Sequence, residues 1–393
     1  MQSRRFSQSW RLISFAACCF AVLASVSFSL LFARPVSLAE SPTRNQQQNL
    51  AGQLIDPAKV IGRDNCKTCH DQEHAAWEAS SHGSRAWQLL EHAKAPDFAA
   101  ALGIAPDQIT SPNSVCTQCH GTQMVSQGRL TVVGGNSCES CHGAAGGDSG
   151  WYRIHGDYGN GMDSSLNELL AQRIAESNQH REQRMADCQA AGMNRAGDVL
   201  AVAKNCLTCH IVPIEELLAA GHPTSSGFEF VRWSQGEVRH NFLLNRNENN
   251  EAPSLWLAQS NDRTAAGRDK LMFVAGKLAD LELSLRIRAQ VTSTERGSLG
   301  REVADRIDDA VSTLTELDVP ELSGLAEVAQ NYQLARRALR ELTADDANKY
   351  SAAADSVGKI AAAFVATHPH GDNLPDSIRI SPRVMGKVYQ PGN

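Results

Sequence analysis

One five-residue pattern, Cys-x-x-Cys-His, occurs four times between Cys66 and His210, and it constrains everything else in the chain. The copies are Cys66-Lys-Thr-Cys69-His70, Cys116-Thr-Gln-Cys119-His120, Cys138-Glu-Ser-Cys141-His142 and Cys206-Leu-Thr-Cys209-His210. With 11 Cys and 13 His in the chain, chance matches number on the order of 0.01. The pattern is that of c-type haem attachment: two thiols add across two vinyl groups, and the His that follows is placed to ligate the iron. Zinc is the rival, since four Cys pairs suffice for two four-Cys sites. Zinc has no need of a His at the same offset in every copy. The expected cofactor is therefore haem c, four groups with their iron, attached through Cys66, Cys69, Cys116, Cys119, Cys138, Cys141, Cys206 and Cys209.

Four such groups on 145 residues must pack closely. Aromatic content is low at 6%, and haem supplies the missing large apolar surface. The other three Cys (Cys18, Cys19, Cys188) offer no disulfide framework. At the N-terminus, Arg4, Arg5 and Arg11 precede an apolar run, Ile13 to Phe32, and a small-x-small site at Ser37-Leu38-Ala39. Residues 1–39 read as an export signal, or as a retained anchor spanning a bilayer through 13–32. The expected location is periplasmic or otherwise exported. The formal net charge is −6, and loss of residues 1–39 removes four Arg and no acid, leaving about −10. That balance argues against nucleic acid and suits docking to a basic redox partner protein.

Residues 40–59 are polar and read as a linker. A haem domain is expected over 60–242. Within it Asp71 to Leu90 reads as helix, carrying Trp77 and Trp87. Arg129 to Val133, with Gly134-Gly135 behind it, reads as a short strand and turn. Gly143, Gly146, Gly147 and Gly150 form a loop in which backbone can pass close to a bulky group. Residues 164–191 are helical in pattern, with Leu166, Leu169, Leu170 and Ile174 at helical spacing. Phe228 to Val231 is a possible strand. Asn241 to Ser254 is a polar break. Beyond it, over 255–370, apolar residues recur at 3/4 spacing: Leu271, Val274, Leu278, Leu281 and Leu285, then Val303, Ile307, Val311 and Leu314, then Leu325, Val328 and Tyr332. Pro320 suits a first helical turn, and Thr343 suits the cap of a last helix. Four helices of this length imply an antiparallel bundle-like domain, followed by an irregular tail, 371–393. The fold class expected is mainly α, with little regular sheet.

Function turns on the second axial ligand. Each motif His (His70, His120, His142, His210) takes one face of an iron. A second His gives a six-coordinate centre suited to electron transfer, and an empty face admits a small ligand. His82 lies twelve residues after His70, His155 thirteen after His142, and His222 twelve after His210. The second motif has only Val132 or Val133 at that offset. On a helix His82 stands about 18 Å along the axis from His70, so it should reach a neighbouring haem. His82, His155 and His222 are the leading distal ligands, with His240 next. His74, His92 and His180 read as solvated helix residues, and His368 and His370 as a polar helix end.

At these residues the chain resembles the cytochrome c-554 family, tetrahaem electron carriers of nitrifying bacteria. Cys66 to His70 with Trp77 and His82 is similar to that family's opening segment. Cys138-Glu-Ser-Cys141-His142-Gly143 is similar to its third haem site, and His155 sits where it has a distal ligand. Ala219-Ala-Gly-His222-Pro, followed by Phe228-Glu-Phe, is more similar to relatives in other exported bacterial systems. The resemblance covers about residues 60–240. It implies three bis-His haems and one five-coordinate haem at the second motif, where a partner after His120 is likewise missing. The function expected is electron carriage between redox partner proteins. The alternative is an enzyme acting on nitric oxide, nitrite or hydroxylamine at an open iron on His120.

Overall fold

The computed structural model describes residues 55–162, 164–224, 227–234, 264–291, 293–337 and 344–380. The chain divides into two units, Met1–Glu40 and Ser41–Asn393, and all described residues lie in the second. The apolar run 13–32, the polar break 241–254, His240 and Thr343 fall outside them. Among the described residues no helix is long and apolar enough to cross a membrane.

Among the described residues the protein is mainly helical with one two-stranded sheet. The haem region comprises α1 (Arg63–Lys67), α2 (Asp71–Glu78), α3 (Ala95–Ala101), α4 (Cys116–His120), β1 (Gly121–Ser126), β2 (Arg129–Gly134), α5 (Cys138–His142), α6 (Trp151–Gly156), α7 (Leu166–Ala175), α8 (Asn178–Ala190), α9 (Val199–His210), α10 (Glu215–Ala219) and α11 (Phe230–Ser234). Four longer helices follow: α12 (Ala265–Arg288), α13 (Leu299–Thr315), α14 (Leu325–Arg337) and α15 (Ala344–Thr367).

Several elements depart from the sequence reading, each for a local reason. The helix expected over 71–90 stops at Glu78. Ser80 turns extended and its side chain accepts a hydrogen bond from Gly83 N, so the chain restarts as a wide π turn, Ser81–Arg85. The strand at Arg129 has a partner that the sequence did not announce. β1 and β2 pair antiparallel from Gly121↔Gly134 to Ser126↔Arg129, and Gln127 and Gly128 form the turn with φ of 50° and 72°. Two positive φ values in a two-residue loop match the twist of a hairpin. Trp87 lies against Gly121 and Gly134, where side chains would displace it. The stretch 164–191 is two helices, because Ser177 caps α8 by accepting from His180 N. The apolar stripe of α7 faces outward: Leu166, Leu170 and Ile174 are exposed. Phe228 to Val231 is no strand; Glu229 accepts from Val231 N and Arg232 N and starts α11 instead. The Gly-rich loop closes on protein backbone, with Gly146 N donating to Lys59 O at 2.7 Å.

Most of the periodic apolar residues of the C-terminal part are buried, with Val311 half-buried. Leu271, Val274, Leu278, Leu281 and Leu285 of α12 are at most 2% exposed, and Val303, Ile307 and Leu314 of α13 are fully covered. Helix α12 is enclosed on several sides, packed by α9, α13 and α15. That is the environment in which a helix is apolar around its circumference. Two of its buried carboxylates are paired: Asp280 takes Arg306 at 2.9 Å, and Glu282 takes Lys204 of α9 at 2.8 Å. One hydrophobic cluster joins Val199, Ala203, Leu207 and Ile211 of the α9 region to the α12, α13 and α15 side chains. Leu207 lies inside the fourth Cys-x-x-Cys-His motif, so that motif is seated directly on the C-terminal helices.

Candidate haem centres

The motifs are built on single helical turns. The second and third occupy α4 and α5 from end to end, the fourth ends α9, and the first straddles the end of α1 and the start of α2. One turn brings residues i and i+3 to the same side, so both thiols of a motif face one partner.

The His side chains then come together in pairs far apart in sequence. The rings of His70 and His155 have centroids 6.1 Å apart, those of His82 and His210 6.1 Å, and those of His120 and His222 6.3 Å. Metal–imidazole bonds of about 2.0 Å place two rings on opposite faces of one metal with centroids roughly 6 Å apart. All three pairs meet that spacing. Their interplanar angles of 25°, 86° and 74° differ, as rotation about the ligand–metal axis allows. Each pair joins one motif His to one of the trailing His residues named from the sequence. His82 goes to the fourth motif and not the first. The trailing residue of the fourth motif, His222, faces the second-motif ligand His120, the position at which the sequence had shown no partner.

The ring nitrogens are assigned by their neighbours. Nδ1 of His120 is 2.9 Å from Ala86 O, that of His142 is 2.9 Å from Asn194 O, and that of His222 is 3.0 Å from Pro223 O. A carbonyl only accepts, so each Nδ1 carries the proton and Nε2 keeps its lone pair for a metal. Burial lowers the pKa of His120, His142 and His222, and takes His155 down to about 3. Neutral imidazole is the form that binds iron. His155 is further placed by Arg184, whose guanidinium donates to His155 O at 2.6 Å while held by Glu176 at 2.7 Å through both carboxylate oxygens. His210 has Phe228 stacked at 4.8 Å and Trp233 at 5.4 Å.

Thiols of different motifs adjoin. Cys66 shares a hydrogen bond with Cys138, which raises Cys66 and lowers Cys138 to about 7. Cys119 and Cys209 do the same, with Cys209 lowered to about 7. Cys141 is near enough to Cys206 to add to the raising that burial imposes on it. The attachment sites therefore adjoin in the order first, third, fourth, second, which is not their order in the chain. Side chains between the motifs hold this arrangement. Glu139, inside the third motif and fully buried, accepts from Ile61 N and Gly62 N just before the first motif and from Ala145 N after its own. Asn205 donates to Ser140 O and Cys141 O, tying the fourth motif to the third.

Residues 65–143 match the family model described as cytochrome c554 and c-prime. No curated protein and no solved structure matches the chain. The cytochrome c554 and c-prime segment holds the first three motifs, ending one residue after His142. That match supports a multihaem c-type cytochrome, and it implies covalently bound haem c with its iron. The donor set fits that group: paired thiols on single turns, neutral imidazoles with Nε2 left over, and ring spacings that accept a metal between them.

The remaining His residues divide. His240 lies outside the described residues. His92 and His180 are exposed, the latter paired with Glu176 at 2.8 Å. His368 binds Asn373 and Glu321 at a helix end. His74, read as solvated, is 5% exposed, set edge-on to Trp77. Ala86, Asn194 and Asn205 carried no signal in sequence, since two of them act through backbone carbonyls. Glu139 did carry one: an acid within an attachment motif.

Proposed function

We propose that the protein is an exported tetrahaem c-type cytochrome that carries electrons between redox partner proteins through closely packed, mostly bis-His haems. The observation that carries this reading is the pairing of His70 with His155, His210 with His82 and His120 with His222 at 6.1 to 6.3 Å. Cys66, Cys69, Cys116, Cys119, Cys138, Cys141, Cys206 and Cys209 would hold haem c, which would supply one-electron chemistry when bound, with the paired imidazoles as iron ligands. The chain's own part is positional. Ala86 O and Asn194 O fix the tautomer and orientation of the proximal rings, and carbonyl hydrogen bonds of this kind strengthen a ligand. The adjoining cysteines of different motifs would hold neighbouring haems close to one another, which a path of electron hops requires. Burial favours the neutral imidazole at His120, His142, His155 and His222.

Low-temperature EPR of the oxidised protein, with haem counted by mass, tests the reading. Four haems and low-spin signals from at least three are expected. High-spin signals from two or more would overturn it. The enzyme reading requires an open iron on His120, and the presence of His222 opposite that ring favours the carrier. No turnover with nitrite, nitric oxide or hydroxylamine is expected.

A further inference from the structure

Glu229, next in the chain to the Phe228 ring stacked on His210, has Asp269 as a charged neighbour, and neither is among the haem ligands. Asp269 lies near the start of α12, and its Oδ1 is buried with no hydrogen-bond partner among the described residues. Glu229 is its charged neighbour, across the packed contact between α11 and α12. That contact is close: a Cβ on Gly276 would sit 2.7 Å from Phe230 Cβ. Glu229 spends its oxygens on Val231 N and Arg232 N, and it directly follows Phe228, the ring stacked on His210. Burial first, and the Glu229 charge second, push the Asp269 carboxyl up to about 6. The other charged groups near the start of α12 have their own engagements. Arg268 donates to Ala196 O, Lys270 binds Asp376, and Asp372 accepts from Thr264. Arg232 follows on α11, and His210 itself lies behind Phe228.

We propose that Asp269, together with Glu229, is a redox-linked proton site: Asp269 takes a proton from solvent when an electron arrives at the His210 centre and returns it when the electron leaves. The inference rests on the multihaem reading above. The electron comes from the redox partner and the proton from water, so one negative charge is matched by one positive charge and no bond is made beyond O–H. The physical cause is like-charge repulsion. An electron added behind Phe228 adds to the repulsion that Glu229 already exerts on a half-buried carboxylate whose buried Oδ1 has no hydrogen bond, and protonation is the response that relieves it. The consequence is a carrier in which one potential depends on pH near neutrality.

Spectroelectrochemical titration of the full-length holoprotein at about pH 5 to 8 tests this. Haem content is measured first, because a protein without four haems fails the cytochrome reading and not this one. In the wild type one midpoint potential is expected to fall as pH rises above about 6, by up to about 59 mV per pH unit, the tenfold constant for one electron. Asp269→Asn is expected to flatten that slope while leaving haem content unchanged. Glu229→Gln is expected to move the window to lower pH, because a like charge has gone. An unchanged slope in Asp269→Asn overturns the proposal. If that variant does not fold, an unmoved window in Glu229→Gln overturns it equally.

Discussion

His222 belongs to the smallest scale at which the protein can be tested. It lies twelve residues after the His of its own motif, yet its ring faces His120 at 6.3 Å. His222→Ala is expected to convert one haem from low-spin to high-spin in the EPR spectrum, and the exposed His92→Ala to change nothing. Glu139 is the second residue whose loss has a defined cost. Three backbone N–H groups depend on its carboxylate, and it is fully buried between the first and third attachment sites. Hydrogen bonds to a charged group are worth about 1.5 to 3 kcal/mol each, and they are not additive. Glu139→Ala is expected to lower stability by about 3 kcal/mol in urea unfolding followed at the Soret band. Glu139→Gln keeps an acceptor and should lose less.

At the scale of elements, the turn that carries His82 is the most exacting. The chain doubles back at Ser80, and Gly83 runs so close to α2 that a Cβ there would lie 2.1 Å from Trp77 O. Gly135 crosses on the other side, with Asn136 N donating to His82 O at 2.9 Å. No side chain fits between these backbones, so Gly83→Ala must shift the turn. Because His82 is its neighbour, the expected readout is specific: loss of one low-spin haem signal, that of the fourth motif, while the hairpin β1–β2 and the remaining centres persist. The same break explains why a continuous helix through Leu90 does not form. Helical spacing predicted the residues before Glu78 correctly, but a serine cap and a glycine contact overrode the pattern after it. In the same way Glu229 claimed two backbone N–H groups that a strand would have left for a neighbouring strand.

At the scale of the molecule, the C-terminal helices and the fourth attachment site share one core. Leu207 and Ile211 are fully buried in the cluster that includes Leu278, Leu281 and Leu285, and Lys204 pairs with Glu282. Ending the chain at residue 254 would expose these side chains and leave α9 without its main support. The expected outcome is a protein with fewer than four haems or a markedly lower unfolding temperature, measured by haem stoichiometry and thermal melting. What the sequence by itself determined is local: the four Cys-x-x-Cys-His motifs that offer paired thiols and a His within one turn, and most of the apolar residues of α12 and α13 that are buried. Each depends on residues within a turn or two of one another. Which trailing His faces which motif was decided only by the tertiary structure. The rings that meet are separated by 85, 128 and 102 residues in the pairs His70–His155, His82–His210 and His120–His222. Attachment needs one helical turn, whereas a partner across a metal needs two distant backbones to be packed about 6 Å ring to ring, and no spacing along the chain encodes that distance.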